Sequence, residues 1–312
     1  TELNYIPTAA VKKIAVVGAG PAGLSAATVA AERGHSVTLF DSASEIGGQF
    51  NVAKRVPGKE EFFETLRYFK RKLETTGVDL RLNTRVSVDD LVAGGFDEII
   101  LATGIAPRTP EIPGVESPKV INYLDAILQR KPVGQTVAVI GAGGIGFDVS
   151  EYITHQGEAT SLSREAFWKE WGIDTQLEAR GGVAGIKAAP HAPARQVFLL
   201  QRKASKVGDG LGKTTGWIHR AGLKNKQVQM LNGVEYLNID DAGLHIRVGG
   251  GEPQLLAVDN VVICAGQEPL RELYDGLVTA GQSVHLIGGA DVAAELDAKR
   301  AINQGSRLAA EL

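Results

Sequence analysis

The chain of 312 residues has one cysteine, Cys264, and one methionine, Met230. One thiol cannot close an internal disulfide, form a redox-active pair or supply a four-Cys iron–sulfur cluster, so these chemistries are excluded within the chain. A dominant charge is missing too. Thirty-three Lys and Arg against 36 Asp and Glu give a net charge of −3, dispersed along the sequence, which argues against a nucleic-acid or anionic-membrane partner. No apolar run reaches the length of a membrane span and no signal-peptide pattern opens the chain, so a cytoplasmic protein is expected. No Ser–His–Asp arrangement and no metal-ligand spacing stands out. The first residue is Thr1; loss of an initiator Met and excision from a longer protein both fit it.

Glycine, by contrast, is plentiful at 38 residues, and two clusters of it carry the reading. Residues 12–17, with β-branched Ile14, Val16 and Val17, read as a strand. Gly18, Gly20 and Gly23 follow in a G-x-G-x-x-G turn, then an Ala-rich helix over 24–33 and a strand over 36–40 ending at Asp41. In such a βαβ unit the first glycine permits the tight turn and the second lets backbone approach a pyrophosphate. The third lets helix and strand pack closely. Asp41 stands where a carboxylate can accept from a ribose hydroxyl. The turn repeats at Gly141, Gly143 and Gly146 after a strand over 136–140. The next strand, 197–200, ends in Gln201, Arg202 and Lys203 rather than an acid, and Arg and Lys there can pair with a 2′-phosphate.

Other features read more plainly. Phe62, Leu66, Phe69 and Leu73 fall on one face of a helix over 60–76, with Gly77 at its end. Residues 157–194, with Trp168 and Trp171, read as an insertion in which the two Trp pack in a core or interface. Gly212-Lys213-Thr214 suggests a phosphate loop but has Val207 where that motif needs glycine. Cys264 reads as a small buried hydrophobe. Short strands are expected at 78–82, 97–101, 228–230, 235–238, 244–248, 260–264 and 284–287, with a final helix over 296–312.

Six segments in order, VVGAGPAGL (16–24), EIGGQF (45–50), LATGIAPRTP (101–110), VIGAGGIG (139–146), VICAGQEP (262–269) and HLIGGADVA (285–293), resemble the two-dinucleotide flavoproteins. GGQFNVAKRVPGKEEFFETLRY, LQRKASKVGDGLGKTTGWIHR and AVDNVVICAGQEPLREL narrow this: they resemble the C-terminal half of bacterial NADPH-dependent 2,4-dienoyl-CoA reductases, over nearly all of the chain. The resemblance implies an α/β fold of two Rossmann-like three-layer domains, with an NADPH domain (126–262) inserted into an FAD domain (13–125 and 263–312) after a linker (1–12). It implies FAD at Gly18, Gly20, Gly23, Asp41, Gln49 and Asp291, with Asp291 on the ribityl chain and Gly289 beside it. It implies NADPH at Gly141, Gly143, Gly146, Arg202 and Lys203. Pro21, Ala22, Gly48, Ala102, Thr103, Gly104, Gly144, Ile145, Ala265 and Gly266 complete the cofactor-binding set.

The FMN-binding barrel and four-iron cluster of that family have no counterpart here in length or cysteines. The expectation is therefore the electron-input half of such an enzyme, passing hydride from NADPH to FAD, with its acceptor outside this chain. Two alternatives stay open: a freestanding NADPH reductase for a separate acceptor protein, and a non-catalytic module that retains ADP.

Overall fold

The computed structural model describes residues 5–176, 185–294 and 297–312. These form two compact units. The first takes in the described residues up to Asn51, Glu61–Ala106, and those from Gln267 onward; the second takes in Val52–Glu60 and Pro107–Gly266. The chain thus leaves the first unit, builds the second, and returns.

Each unit is built on a five-stranded, all-parallel sheet. In the first, the order is Val284–Leu286, Glu98–Leu101, Lys13–Val17, Ser36–Phe40, Asp79–Arg81. Alternation along the strands decides the layers. Ile14, Val16, Val37, Leu39 and Ile100 face a helical layer that includes Pro21–Glu32, Phe62–Thr76 and Ala298–Glu311. Ala15, Val17, Phe40, Ile99 and Leu101 face the opposite side, where Leu91 and Leu277 of two short helices, Val88–Ala93 and Tyr274–Thr279, close the core. Strands buried on both faces explain why they are continuous apolar runs rather than alternating ones.

The second sheet runs Val120–Asn122, Asn260–Ile263, Thr136–Ile140, Gln196–Leu200, Gln229–Leu231. Val137, Val139, Val197, Leu199 and Val262 pack with helical residues such as Phe147, Val149, Ile153 and Leu223. Ala138, Ile140, Leu200, Val261 and Ile263 pack against Val234, Ile239, Leu244, Ile246 and Leu256. These belong to a three-stranded antiparallel sheet, Val234–Asp240, Gly243–Val248 and Pro253–Leu256. Its third strand was not expected from sequence, because Pro253 and three further residues make too short a run to carry a period.

In both sheets the strand before the glycine turn is central and the order reverses there, which opens a crevice beyond its carboxyl end. The segment 107–125, expected with the first domain, packs in the second unit because Val120–Asn122 pairs with Asn260–Ile263. Val52 and Val56 likewise lie in the second unit's core. Of the expected linker 1–12, residues 1–4 lie outside the described residues. In the rest, the Thr8 amide donates to the Arg33 carbonyl at 2.7 Å and Arg33 Nε to the Ile6 carbonyl at 3.0 Å. The expected insertion is part helix, Arg164–Trp171, with residues 177–184 outside the described ones. No residue of that helix is buried, so Trp168 and Trp171 do not fill a core. Arg164 instead stacks over Trp168 at 4.8 Å from the ring centroid. The final helix starts at Ala298, and residues 295–296 of the expected span lie outside the described residues.

At the amino end of the first sheet, Glu98 gathers three donors: Lys12 Nζ at 2.7 Å, Ser283 Oγ at 2.6 Å and His285 Nε2 at 2.9 Å. Burial alone would raise its carboxyl, but these bonds outweigh burial and pull it from 4.5 to about 2. The folded state therefore holds this carboxylate more tightly than the unfolded chain does. The stabilisation is complete above the unfolded value and is lost as pH falls from about 4.5 towards 2. Glu98→Gln is expected to lower unfolding free energy by about 1–2 kcal/mol at neutral pH, with the difference shrinking through that acid window. Urea titrations at several pH values check it; a pH-independent difference would show that charge plays no part.

Candidate dinucleotide-binding sites

The two glycine turns have nearly the same geometry. Gly18 has φ +107° and Gly141 φ +109°, in the left-handed region that side chains avoid. A β-carbon at Gly18 would lie 2.4 Å from the Ala102 carbonyl oxygen, and one at Gly141 2.4 Å from that of Cys264. At Gly23 it would lie 1.8 Å from the Gly18 carbonyl oxygen, and at Gly146 1.8 Å from that of Gly141. At Gly20 and Gly143, however, a β-carbon would meet nothing within 4 Å. The outer glycines are thus required by the fold, and the middle one leaves space beside the backbone. Such a cradle suits a pyrophosphate.

Each turn opens directly onto a helix with no side-chain cap and no acid in its first turn: Pro21–Glu32 with Pro21 at its start, and Gly144–Thr154. The early amides, those of Ala22 and Gly23 in one and of Gly144, Ile145 and Gly146 in the other, have no intrahelical acceptor and carry the positive end of the helix dipole. Both turns therefore fit a bound dinucleotide phosphate.

Around the first turn the chain closes in tightly. Gly18 N donates to Phe40 O at 2.8 Å, Gly47 N to Ala19 O at 2.8 Å, and Ala102 N to Val17 O at 2.8 Å. A β-carbon at Gly48 would lie 3.1 Å from Gly20 Cα, so the GGQF loop bearing Gln49 sits against the turn. Asp41 accepts from the Ala19 amide at 2.7 Å through Oδ2 and from Ala43 N at 2.8 Å through Oδ1. Each oxygen keeps a lone pair for a ribose hydroxyl. Thr103 Oγ1 donates to Leu270 O at 2.6 Å and Gly104 O accepts from Leu270 N at 3.0 Å, which fixes this loop.

Gly289 lies in a buried turn, Gly288–Ala290, that leads to Asp291. Gln304, which sequence reasoning did not single out, links both ends of this turn. Its Oε1 accepts from Gly288 N at 2.8 Å and its Nε2 donates to Asp291 Oδ2 at 2.7 Å. Arg271 holds the Ala290 carbonyl at 2.6 Å and also that of Asp291. Gln304 lies outside every quoted segment, Arg271 lies inside 257–273 without a role of its own there, and both act across sequence separations that only the fold closes. Gln304→Leu should cost about 1–3 kcal/mol by leaving both partners unpaired, and should reduce flavin retained on purification several-fold. Thermal unfolding and bound-flavin absorbance measure the two effects; full flavin retention would remove Asp291 from the site.

In the second unit Gly141 N donates to Leu200 O at 3.0 Å. Ala142 N, the counterpart of Ala19 N, donates to no acceptor among the described residues. Gln201 turns elsewhere, and Arg202 and Lys203 are exposed. Arg108, another residue missed from sequence, holds the Ala265 carbonyl with Nε at 2.9 Å, and its amide donates to Gly266 O at 3.1 Å. Cys264 is buried, and burial together with the Asp148 carboxylate pushes its thiol far up, so it is an inert core side chain. Among the described residues no group of His, Cys, Asp and Glu could hold a metal, and no helix is long and apolar enough to cross a membrane.

Residues 12–297 match the pyridine nucleotide-disulphide oxidoreductase family. A metal reductase of Desulforamulus reducens is 30% identical over 296 residues, covering 93% of this chain and 42% of the relative. A cinnamate reductase of Clostridium sporogenes is 37% identical over 153 residues, covering 49% of this chain and 23% of the relative. Among solved structures, a 2-naphthoyl-CoA reductase bound to 2-naphthoyl-CoA superposes with a TM-score of 0.82 at 25% identity, covering 99% of this chain and 41% of that one. The chain therefore spans about two-fifths of the length of relatives that match it throughout. With two parallel α/β units and a glycine turn at the switch point of each, this chain belongs to the pyridine nucleotide-disulphide oxidoreductase family, a family of flavoprotein oxidoreductases.

Proposed function

We propose that this chain is an electron-input module that takes hydride from NADPH onto FAD and delivers electrons to an acceptor outside itself. The observation that carries it is the pair of matching cradles with unlike strand ends: Asp41 beside the first turn, Arg202 and Lys203 beside the second. Gly18, Gly20, Gly23, Asp41, Gln49 and Asp291 would hold FAD; Gly141, Gly143, Gly146, Arg202 and Lys203 would hold NADPH. FAD held by these residues would supply a two-electron hydride acceptor that can also act as a one-electron donor. The protein's share is to bind, orient and exclude water, so no acid–base residue is required for the transfer.

The finer reading is the input half of a 2,4-dienoyl-CoA reductase, whose acceptors would be an iron–sulfur segment and an FMN barrel. The segments 47–68, 200–220 and 257–273 support it. The single Cys264 supports an acceptor outside the chain, since the chain has no second thiol to reduce. The test is the absorption spectrum of the purified protein before and after anaerobic NADPH. A flavin band that bleaches, with dye reduction but no dienoyl-CoA turnover, is the expected result. Absence of flavin, or stoichiometric enoyl-CoA formed by this chain alone, would overturn the reading.

A further inference from the structure

The loop after Gln196–Leu200 is shaped differently from its counterpart in the first unit. Asp41 spends one carboxylate oxygen on the turn amide of Ala19. Gln201 instead folds its carboxamide back onto its own loop, donating from Nε2 to the carbonyls of Lys203 at 3.0 Å and Ser205 at 2.8 Å. Asn232, from the turn after Gln229–Leu231, donates from Nδ2 to the Ala204 carbonyl at 2.6 Å. The backbone adds Val234 N to Gln201 O and Gly233 N to Lys203 O, both at 3.0 Å.

The carbonyls of 201, 203, 204 and 205 are therefore all tied down. The amides of 202–206 donate to no acceptor among the described residues, and the side chains of Arg202, Lys203 and Lys206 form no ion pair there. An ordinary solvated loop has no need of two side-chain amides to restrain three successive carbonyls, those of Lys203, Ala204 and Ser205. Carbonyls held back, with amides and cations left open, leave this exposed loop rich in donors and poor in acceptors, which suits an anion. A phosphate monoester, with three acceptor oxygens and up to two negative charges, matches it.

We infer that residues 202–206 are a preformed cradle for the 2′-phosphate, in which backbone amides act with Arg202 and Lys203, and that Gln201 and Asn232 are positioning residues that hold it open. This rests on the reading of the second turn as the NADPH site. Glutamine at 201 then does two things: it withholds the carboxylate that would repel a 2′-phosphate, and it supplies the N–H groups that shape its cradle.

Calorimetric titration of the purified protein with adenosine 2′,5′-bisphosphate and with 5′-AMP separates the cradle from the rest of the site. Gln201→Met and Asn232→Leu remove the donors from opposite sides while keeping bulk. Each is expected to weaken the bisphosphate about tenfold and leave 5′-AMP nearly unchanged, as loss of one or two shaping hydrogen bonds implies. The KM for NADPH should rise with kcat retained and NADH kinetics unaltered. Equal weakening of both probes, or no weakening of either, overturns the positioning role. Arg202→Ala with Lys203→Ala is the separate arm. If that pair leaves the ratio of the two affinities unchanged, the NADPH reading itself fails. If the ratio collapses there but survives in both Gln201→Met and Asn232→Leu, only the cradle inference falls.

Discussion

Gly20→Ala is expected to yield a folded protein that purifies without flavin, whereas Gly23→Ala is expected to lose the first unit's fold. The two substitutions add the same methyl group three residues apart. At Gly23 that carbon would sit 1.8 Å from the Gly18 carbonyl oxygen and 3.1 Å from the Ala102 side chain. No rotamer relieves this, because the methyl group is fixed by backbone, and the opposing atom is backbone too. The helix Pro21–Glu32 would have to lift from Lys13–Val17, and with it go buried contacts of Leu24, Ala26, Ala27 and Ala30. A loss exceeding about 4 kcal/mol follows, large against the total stability of a domain. At Gly20 the same carbon meets no protein atom within 4 Å. The backbone there is extended, with φ −79° and ψ −177°, so alanine fits. What it fills is the approach to the turn.

Flavin absorbance per folded protein, read beside circular dichroism and a thermal melt, separates the two outcomes. Gly143→Ala and Gly146→Ala repeat the contrast in the second unit, read by NADPH affinity. A folded, flavin-replete Gly20→Ala protein would mean that the first turn is only a turn.

That contrast also marks how far the sequence could be read. The glycine turns, their strands and Asp41 were legible because each follows from local constraints: a β-branched run, a required φ, an acid at a strand end. The strand 136–140 and the helix end at Gly77 were legible for the same reason. What escaped was set by distance. Gln304 reaches Asp291 only because the last helix packs on Pro21–Glu32, where Ser306 meets Ser25 at 2.6 Å. Arg108 reaches Ala265 only once two segments far apart in sequence lie side by side. The extent of each unit was hidden likewise, since Val120–Asn122 is too short to announce the sheet it joins. Trp168 and Trp171 were expected in a core or an interface and are not in a core, because helical spacing says that two residues share a face and nothing about what covers it.

The largest effect on nucleotide selectivity is expected from Arg202→Ala combined with Lys203→Ala. Both side chains are exposed and neither forms an ion pair among the described residues, so their loss should change stability by less than about 0.5 kcal/mol. Function is another matter. A charge-assisted hydrogen bond to phosphate is worth about 1.5–3 kcal/mol, and exposure to solvent puts each contact near the lower figure. Two of them together give about 3 kcal/mol, or roughly a hundredfold in kcat/KM for NADPH. NADH has no 2′-phosphate, so its kcat/KM should hold within about twofold. Salt supplies an independent check. Two exposed cations facing a phosphate are screened over about 8–10 Å at ordinary ionic strength, so the wild-type NADPH rate should fall as salt rises and the double variant should lose most of that slope. Steady-state kinetics with both nucleotides across a salt series measures every term. Equal losses for NADPH and NADH would move these residues out of the nucleotide site, and an unchanged NADPH slope would show that the strand-end cations never meet the phosphate.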